Sequence, residues 1–254
     1  MSETVIERRL EQQKDALPGA FEPRRRALAA FLERGYPTRR DEAWRYTDLK
    51  PIAEGDFDAP GAALDAAPRE LLRARLDEAA PAVSPDAEPA PRVVLVDGIV
   101  DEALSRTALP TGITLTRLGG DARFDRAGRS AASSHPLALL NRAFASDGIR
   151  VHVAAGVTSA VPLELFLVAG SRGRVAQHPR IVIDLEPNAA LDVVVHCLDI
   201  EAAEGWLNAV FDIVQAEGSR LRLHRLQQHG HGLDHTSLLS ARLDKNASDR
   251  KSVV

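Results

Sequence analysis

The sequence predicts a mainly β chain, a stack of parallel β-coils preceded by an α-helical region. Three segments carry that reading: RIVIDLEPNAALDVVVHCL at 180–198, NAVFDIVQAEGSRLRLHRL at 208–226 and SLLSARLDKNASDRKSVV at 237–254. Each runs strand, turn residue, small residue, strand. The turn residues Asn188, Gly218 and Asn246 lie 30 and 28 residues apart, followed by Ala189, Ser219 and Ala247. Asn and Gly tolerate the left-handed backbone of tight turns, so their return at near-constant spacing is what a stacked coil requires. Each coil then buries a shared apolar interior against the next. An immunoglobulin-like sandwich is the rival architecture, but it supplies no reason for equal coil lengths.

The elements follow in order. Residues 3–16 and 23–34 carry helical spacing in Val5, Ile6, Leu10 and Leu17, and in Ala27, Leu28, Phe31 and Leu32. LPG at 17–19 breaks the first helix and GYP at 35–37 stops the second. DAAPRELLRARLDEA at 65–79 reads as a third helix, with Asp65 at the cap and Leu71, Leu72 and Leu76 on one face. PAVSPDAEPAPR at 81–92 is Pro-rich, poor in residues that pack, and reads as a linker. The expected organisation is therefore a helical region at 1–80, a linker at 81–92 and a β-coil core at 93–254.

In the core, RVVLVDGIVDEAL at 92–104 suggests a strand, a turn at Asp97-Gly98 and a second short strand. HPLALLNRAFASDG at 135–148 suggests one more helix. From Arg150 onward short β-rich runs dominate, and Gly156 in VHVAAGVTSAVPLELFLV marks an earlier, less regular coil. Alternation places Val182, Leu185, Val193 and Val195 inward and Asp184 and Asp192 outward. The sequence stops at DRKSVV, in the middle of a repeat and with no cap. An incomplete core that associates end to end through its last coil is the expectation, blunted by Asp249, Arg250 and Lys251.

Composition excludes several function classes. The chain is 44% hydrophobic and 27% charged with a formal charge of −4, so no global positive field exists to hold nucleic acid or an acidic membrane. One cysteine, Cys197, excludes an internal disulfide framework. MSETVIERRLEQQKD has no apolar core of the signal-peptide kind, and no run of about 18 apolar residues occurs. A cytoplasmic protein is expected. GSRGR at 170–174 lacks the lysine and hydroxyl residue of a phosphate loop. Neither G-x-G-x-x-G after a strand nor a G-x-S-x-G elbow occurs. Nucleotide hydrolysis and serine hydrolase chemistry are not expected, and the chain reads as a non-enzyme.

Two clusters invite a chemical reading. His224, His229, His231 and His235 fall within twelve residues, and His196-Cys197 could approach from the neighbouring coil to share a divalent metal. Against that, Gly230 and Gly232 suit a polar inter-coil turn, and neither an H-x-x-x-H on a helix nor a Cys pair accompanies them. No metal site is assigned. Cys197 sits in an apolar strand with only His196 adjacent, on the opposite face, and reads as a small buried hydrophobe. No catalytic or cofactor-binding residue is assigned. The third candidate is RRDEAWRYTDLKPI at 39–52. Arg39, Arg40 and Arg45 interleaved with Trp44 and Tyr46 could stack nucleobases. Asp41, Glu42 and Asp48 offset that charge, so the preferred reading packs Trp44 and Leu49 inward with the charges around them.

The same stretch, Arg39 to Leu49, resembles the signature near the start of the SufB/SufD family of iron–sulfur cluster assembly scaffold subunits. VVLVDGIV at 93–100, LPTGITLTRL at 109–118 and LALLNRAFASDGIRVHVAAGV at 137–157 are similar to further blocks of its SufD branch. The resemblance covers essentially the whole chain in order. It implies a right-handed parallel β-helix behind an N-terminal helical region. It also implies pairing with a SufB-like subunit through the β-helix and work with a SufC-like ATPase. No cofactor would be bound by this chain alone, the complex handling a transient cluster. Family members continue well past residue 254, into further coils, a cysteine- and histidine-bearing segment and the helices that hold the ATPase, so no cluster-related residue is carried over. A parallel β-helix that binds or acts on carbohydrate through paired acids is the alternative, but Asp184, Asp192 and Asp212 lie on separate coils without an obvious cleft.

Overall fold

Gly156, Asn188, Gly218 and Asn246 all have positive φ, at 72°, 60°, 70° and 58°, and at each of them the chain crosses from one parallel sheet into another. The four turns form a ladder. The amide of Gly156 donates to the carbonyl of Pro187, that of Asn188 to Glu217 and that of Gly218 to Lys245, at 2.9, 2.9 and 3.0 Å. The small residues behind them, Ala189 and Ser219, are fully buried in the corner. The expected coil grammar is therefore the grammar of the fold, with Gly156 as its first copy.

The computed structural model describes residues 3–61, 64–80, 89–118, 134–170, 173–200 and 203–254. The strands are β1 (Arg92–Val96), β2 (Ile99–Val100), β3 (Ile113–Arg117), β4 (Gly148–Val153), β5 (Leu163–Ala169), β6 (Arg174–Gln177), β7 (Arg180–Leu185), β8 (Ala190–Asp199), β9 (Glu204–Gln215), β10 (Arg220–Gln227), β11 (Leu233–Leu243) and β12 (Ser248–Val253). They build two facing sheets, ordered β3-β4-β7-β9-β11 and β2-β1-β5-β8-β10-β12, with β6 alongside β9. From β4 and β5 onward the successive coils pair in parallel, and this is a parallel β-solenoid of about three turns. The first sheet starts with an antiparallel strand, β3 on β4, and the second with the β1–β2 hairpin turned at Asp97 and Gly98, where the sequence places it.

One apolar cluster fills the space between the sheets, with Val93, Leu95, Ile149, Val151, Leu165, Leu167, Ile181, Ile183, Val193, Val195, Phe211 and Leu223 among its members. Alternation corrects one assignment. Leu185 faces in with Ile181 and Ile183, so Val182, an odd number of positions away, must face out. It is buried nonetheless, packed with Leu118 and Ala145 on the outer side. Val193 and Val195 face in as expected, while Asp184 and Asp192 lie outside and pair with Arg150 and Arg222.

Helices cover both outer faces. They are α1 (Glu3–Gln12), α2 (Phe21–Arg34), α3 (Lys50–Glu54), α4 (Ala66–Ala79) and α5 (Pro136–Phe144). Ile6 and Leu10 of α1, Leu28 and Phe31 of α2, Ile52 of α3 and Leu140 and Phe144 of α5 form one cluster with Ala176 of β6 and Trp206 of β9. α4 covers the second sheet instead, setting Leu72 and Leu76 against Val94, Phe166 and Val168. Leu71 points to solvent at 49% exposure, because adjacent helical positions are about 100° apart and cannot share a narrow contact stripe with Leu76. Val5 is likewise exposed. Gly35 ends α2 in left-handed geometry, its amide returning 2.7 Å to the carbonyl of Phe31. α5 begins at Pro136 behind His135, whose ring nitrogen accepts from the amide of Leu137, and it is shorter than the 135–148 expected because β4 already starts at Gly148. Within the expected linker and the GSRGR segment, residues 81–88 and 171–172 lie outside the described residues.

Candidate functional site

The histidines do not converge. His224 lies on the outer face of β10, in register with Val194 and Ser252, with Nδ1 2.6 Å from the Ser252 hydroxyl. His231 is exposed in the turn before β11. His229 and His235 do meet, Nε2 of the first lying 3.2 Å from Nδ1 of the second, and Gln227 donates to the same Nδ1 over 2.9 Å. His196 stacks on Phe166 at a 4.4 Å centroid distance outside the second sheet, where its Nε2 contacts Glu164 at 2.7 Å. Among the described residues no group of three or more His, Cys, Asp or Glu is placed to hold a metal ion.

Cys197 occupies the solenoid interior, one residue from His196 and on the other face. Burial pushes its thiol up to about 12, against the pull of the Arg225 charge. At neutral pH it is a thiol, not a nucleophilic thiolate. The carboxylates weighed for sugar chemistry are committed to arginines. Asp184 pairs with Arg150, Asp192 with Arg222, and Asp212 with Arg180 in a pair that is almost fully buried. Asp212 lies beneath the helical layer while Asp192 is on the opposite sheet, so these three form no cleft with a paired acid and base.

A polar seam clips α5 to the first sheet. Asn141 donates to the carbonyls of Pro179 and Asn208, at 3.0 and 2.9 Å, and Asn208 donates to Leu137 of the helix at 2.9 Å. Arg180 donates to Asp212 beside them. Trp206 completes the seam: its indole N–H donates to Thr236, whose hydroxyl reaches Asn208. His178 is sealed between Trp206 and Phe144, and burial above all, with the Arg9 charge, holds its pKa down at about 3. The sequence reading missed this seam. Asn141 inside the apolar run PLALLNRAF was its signal, because an amide there needs partners.

The 39–52 stretch is split between packing and surface. Leu49 is buried, as expected, whereas the ring of Trp44 is only half-buried, leaning on the helical cluster 6.0 Å from the His135 ring. Tyr46 is 91% exposed with the Arg45 guanidinium over its ring, and Arg39 pairs with Asp48. The fully buried aromatic anchor is Trp206, which Tyr36 and Phe57 flank. A short helical turn at Glu42–Trp44 explains the difference, since it sets Trp44 at the rim of the layer.

At the far end of the stack, β11 and β12 are the outermost strands of their sheets among the described residues.

Residues 9–165 match the family model described as SufBD protein N-terminal region, and residues 166–253 match the one described as SUF system FeS cluster assembly, SufBD core domain. The chain is also 28% identical over 222 residues to the iron-sulfur cluster assembly protein SufD of Escherichia coli (strain K12). That alignment covers 84% of this chain and 48% of the relative, so the chain spans about half the relative's length.

Proposed function

The chain belongs to the SufB/SufD family, and on that premise we propose that it is a SufD-like, non-catalytic scaffold subunit of the machinery that assembles iron–sulfur clusters. The observation that carries this reading is the order of the two matches, which together run from residue 9 to residue 253 across helices and solenoid alike. The named relative is itself an iron–sulfur cluster assembly protein, which supports the same process here. The arginine pairing of the weighed carboxylates and the protonated state of Cys197 favour a scaffold over a catalyst.

In this reading the solenoid pairs with a SufB-like subunit, and a SufC-like ATPase drives the assembly. The cluster is cargo of the complex, and no resident cofactor is assigned to this chain. A cytoplasmic location fits, and no described helix is long and apolar enough to cross a membrane.

Co-expression with the SufB-like and SufC-like proteins of the same genome, followed by affinity capture on this protein, tests the proposal. Stoichiometric recovery of the SufB-like partner is expected. Recovery of neither partner, from a folded protein with a cooperative melt, would remove the scaffold reading.

A further inference from the structure

The interior of the solenoid changes character between the coil of β8 and β9 and that of β10 and β11. In parallel in-register coils, residues that stand on one another point the same way, so each side chain inherits the direction of its partner one coil earlier. Val195 and Cys197 of β8 face the apolar interior, and Arg225 and Gln227 of β10 stand on them. Leu207 and Ala209 of β9 face it from the other sheet, and His235 and Ser237 of β11 stand on those. The Gln227–His235 contact at 2.9 Å joins the two sheets at the exposed rim of this space, where Gln227 itself is exposed. Positions that are Val, Cys, Leu and Ala in one coil are thus Arg, Gln, His and Ser in the next.

Buried polar atoms are expensive unless bonded. Here Nε of Arg225, Nε2 of His235 and Oγ of Ser237 are buried without a hydrogen-bond partner. With the amide nitrogen of Gln227 turned to His235, Nδ1 accepts and the ring proton sits on Nε2. Nε2 of His235 and Nε of Arg225 are then both unspent N–H donors, and the Ser237 hydroxyl can supply a third. The Arg225 charge acts on both sides of this space, helping to hold down the pKa of His235 and opposing the rise at Cys197. The inward acid of the same coil, Asp249, contacts Lys251. It stands four residues along β12 from Val253, the residue in register with Arg225, which is roughly 13 Å along the strand.

We propose that this donor-lined interior is a binding site for a small inorganic anion, held by the Arg225 guanidinium, the Nε2–H of His235 and the Ser237 hydroxyl. Charge and donor count select an anion over a cation: one fixed positive charge and unspent donors face the same space, and the inward acid lies roughly 13 Å away along the strand. The site is independent of the scaffold reading, since it needs neither partner subunits nor a cluster.

Bromide and inorganic phosphate are the probes. Crystals of the full chain soaked in bromide should show an anomalous peak within hydrogen-bonding distance of Arg225 Nε and His235 Nε2. Calorimetric titration with phosphate should show one site that weakens at least about tenfold in Arg225→Met and roughly threefold to tenfold in Ser237→Ala. If Arg225→Met fails to fold, Ser237→Ala and Arg225→Lys carry the comparison, the lysine variant retaining part of the binding. Ordered water alone at these atoms, or anion binding that none of these substitutions changes, would overturn the proposal.

Discussion

Asn188 and Gly218 stand on one another in successive turns, the side-chain oxygen of Asn188 lying 2.5 Å from where a β-carbon on residue 218 would be. The turn ladder therefore has two demands at position 218, a left-handed backbone and an empty volume. Gly218→Ala meets neither and should cost on the order of 1–3 kcal/mol in chemical denaturation. Gly218→Asn, although Asn serves in the neighbouring turns, should be no better, because it adds the same β-carbon. A wild-type midpoint for either variant would mean the ladder is looser than its geometry.

The buried Arg180–Asp212 pair should behave asymmetrically. Asp212→Ala leaves a guanidinium beneath the helical layer and should cost about 3–5 kcal/mol. The double change Arg180→Met with Asp212→Leu should recover much of that loss, since the uncompensated charge is gone. Equal destabilisation by the single and double variants in urea melts would contradict this account.

Stability should fall as the solution is acidified below neutrality. His178 and His235 are both held at about 3 in the folded protein, chiefly by burial, against an ordinary value of 6.5. Between these values the unfolded chain binds the extra protons, so folding opposes protonation there. The contribution is complete above about pH 6.5 and is lost as pH falls toward 3, with a slope of up to about 1.4 kcal/mol per pH unit for each histidine. Denaturation midpoints measured between pH 7.5 and 4.5 should drop steadily, and His178→Gln should reduce the slope. A flat profile would show that the rings are not sealed from water.

The two tryptophans should separate in the same assay. Trp206→Ala removes a buried ring and the donor to Thr236, and should cost about 3–5 kcal/mol. Trp44→Ala removes a half-buried ring and should cost about 1–2 kcal/mol. Arg45→Ala, at the exposed rim, should change little. The reverse order for the tryptophans would move the anchor back to the 39–52 stretch.

Cys197 should resist alkylation. Its thiol is buried and pushed up to about 12, so iodoacetamide at pH 8 should label it only after denaturation. Rapid labelling of folded protein would reveal a reactive thiolate and reopen a chemical role.

The elements that were legible beforehand share a local cause. Asn188, Gly218 and Asn246 announce themselves because positive φ restricts residue type at the turn itself, and the Asp97-Gly98 hairpin does so for the same reason. Leu72 and Leu76 followed from helical spacing, but Leu71 did not, since spacing alone does not say which of two adjacent leucines meets the sheet. Val182 was misassigned by the same route, its burial coming from Leu118 and Ala145 outside the solenoid rather than from strand alternation.

What the sequence by itself determined is the coil: its turn residues, its repeat length and its alternating strands, all set by backbone rules that act within a few residues. Tertiary structure decided what that coil touches. Docking of α5 turned the outward residues His178, Arg180 and Asp212 into buried ones, because a side chain's dielectric surroundings depend on which distant segment covers it. Register decided that Arg225, His235 and Ser237 face one interior space, with Gln227 at its exposed rim. In the linear sequence they are separate polar residues on two strands, and only stacking on Val195, Cys197, Leu207 and Ala209 fixes the side of the sheet on which each one stands.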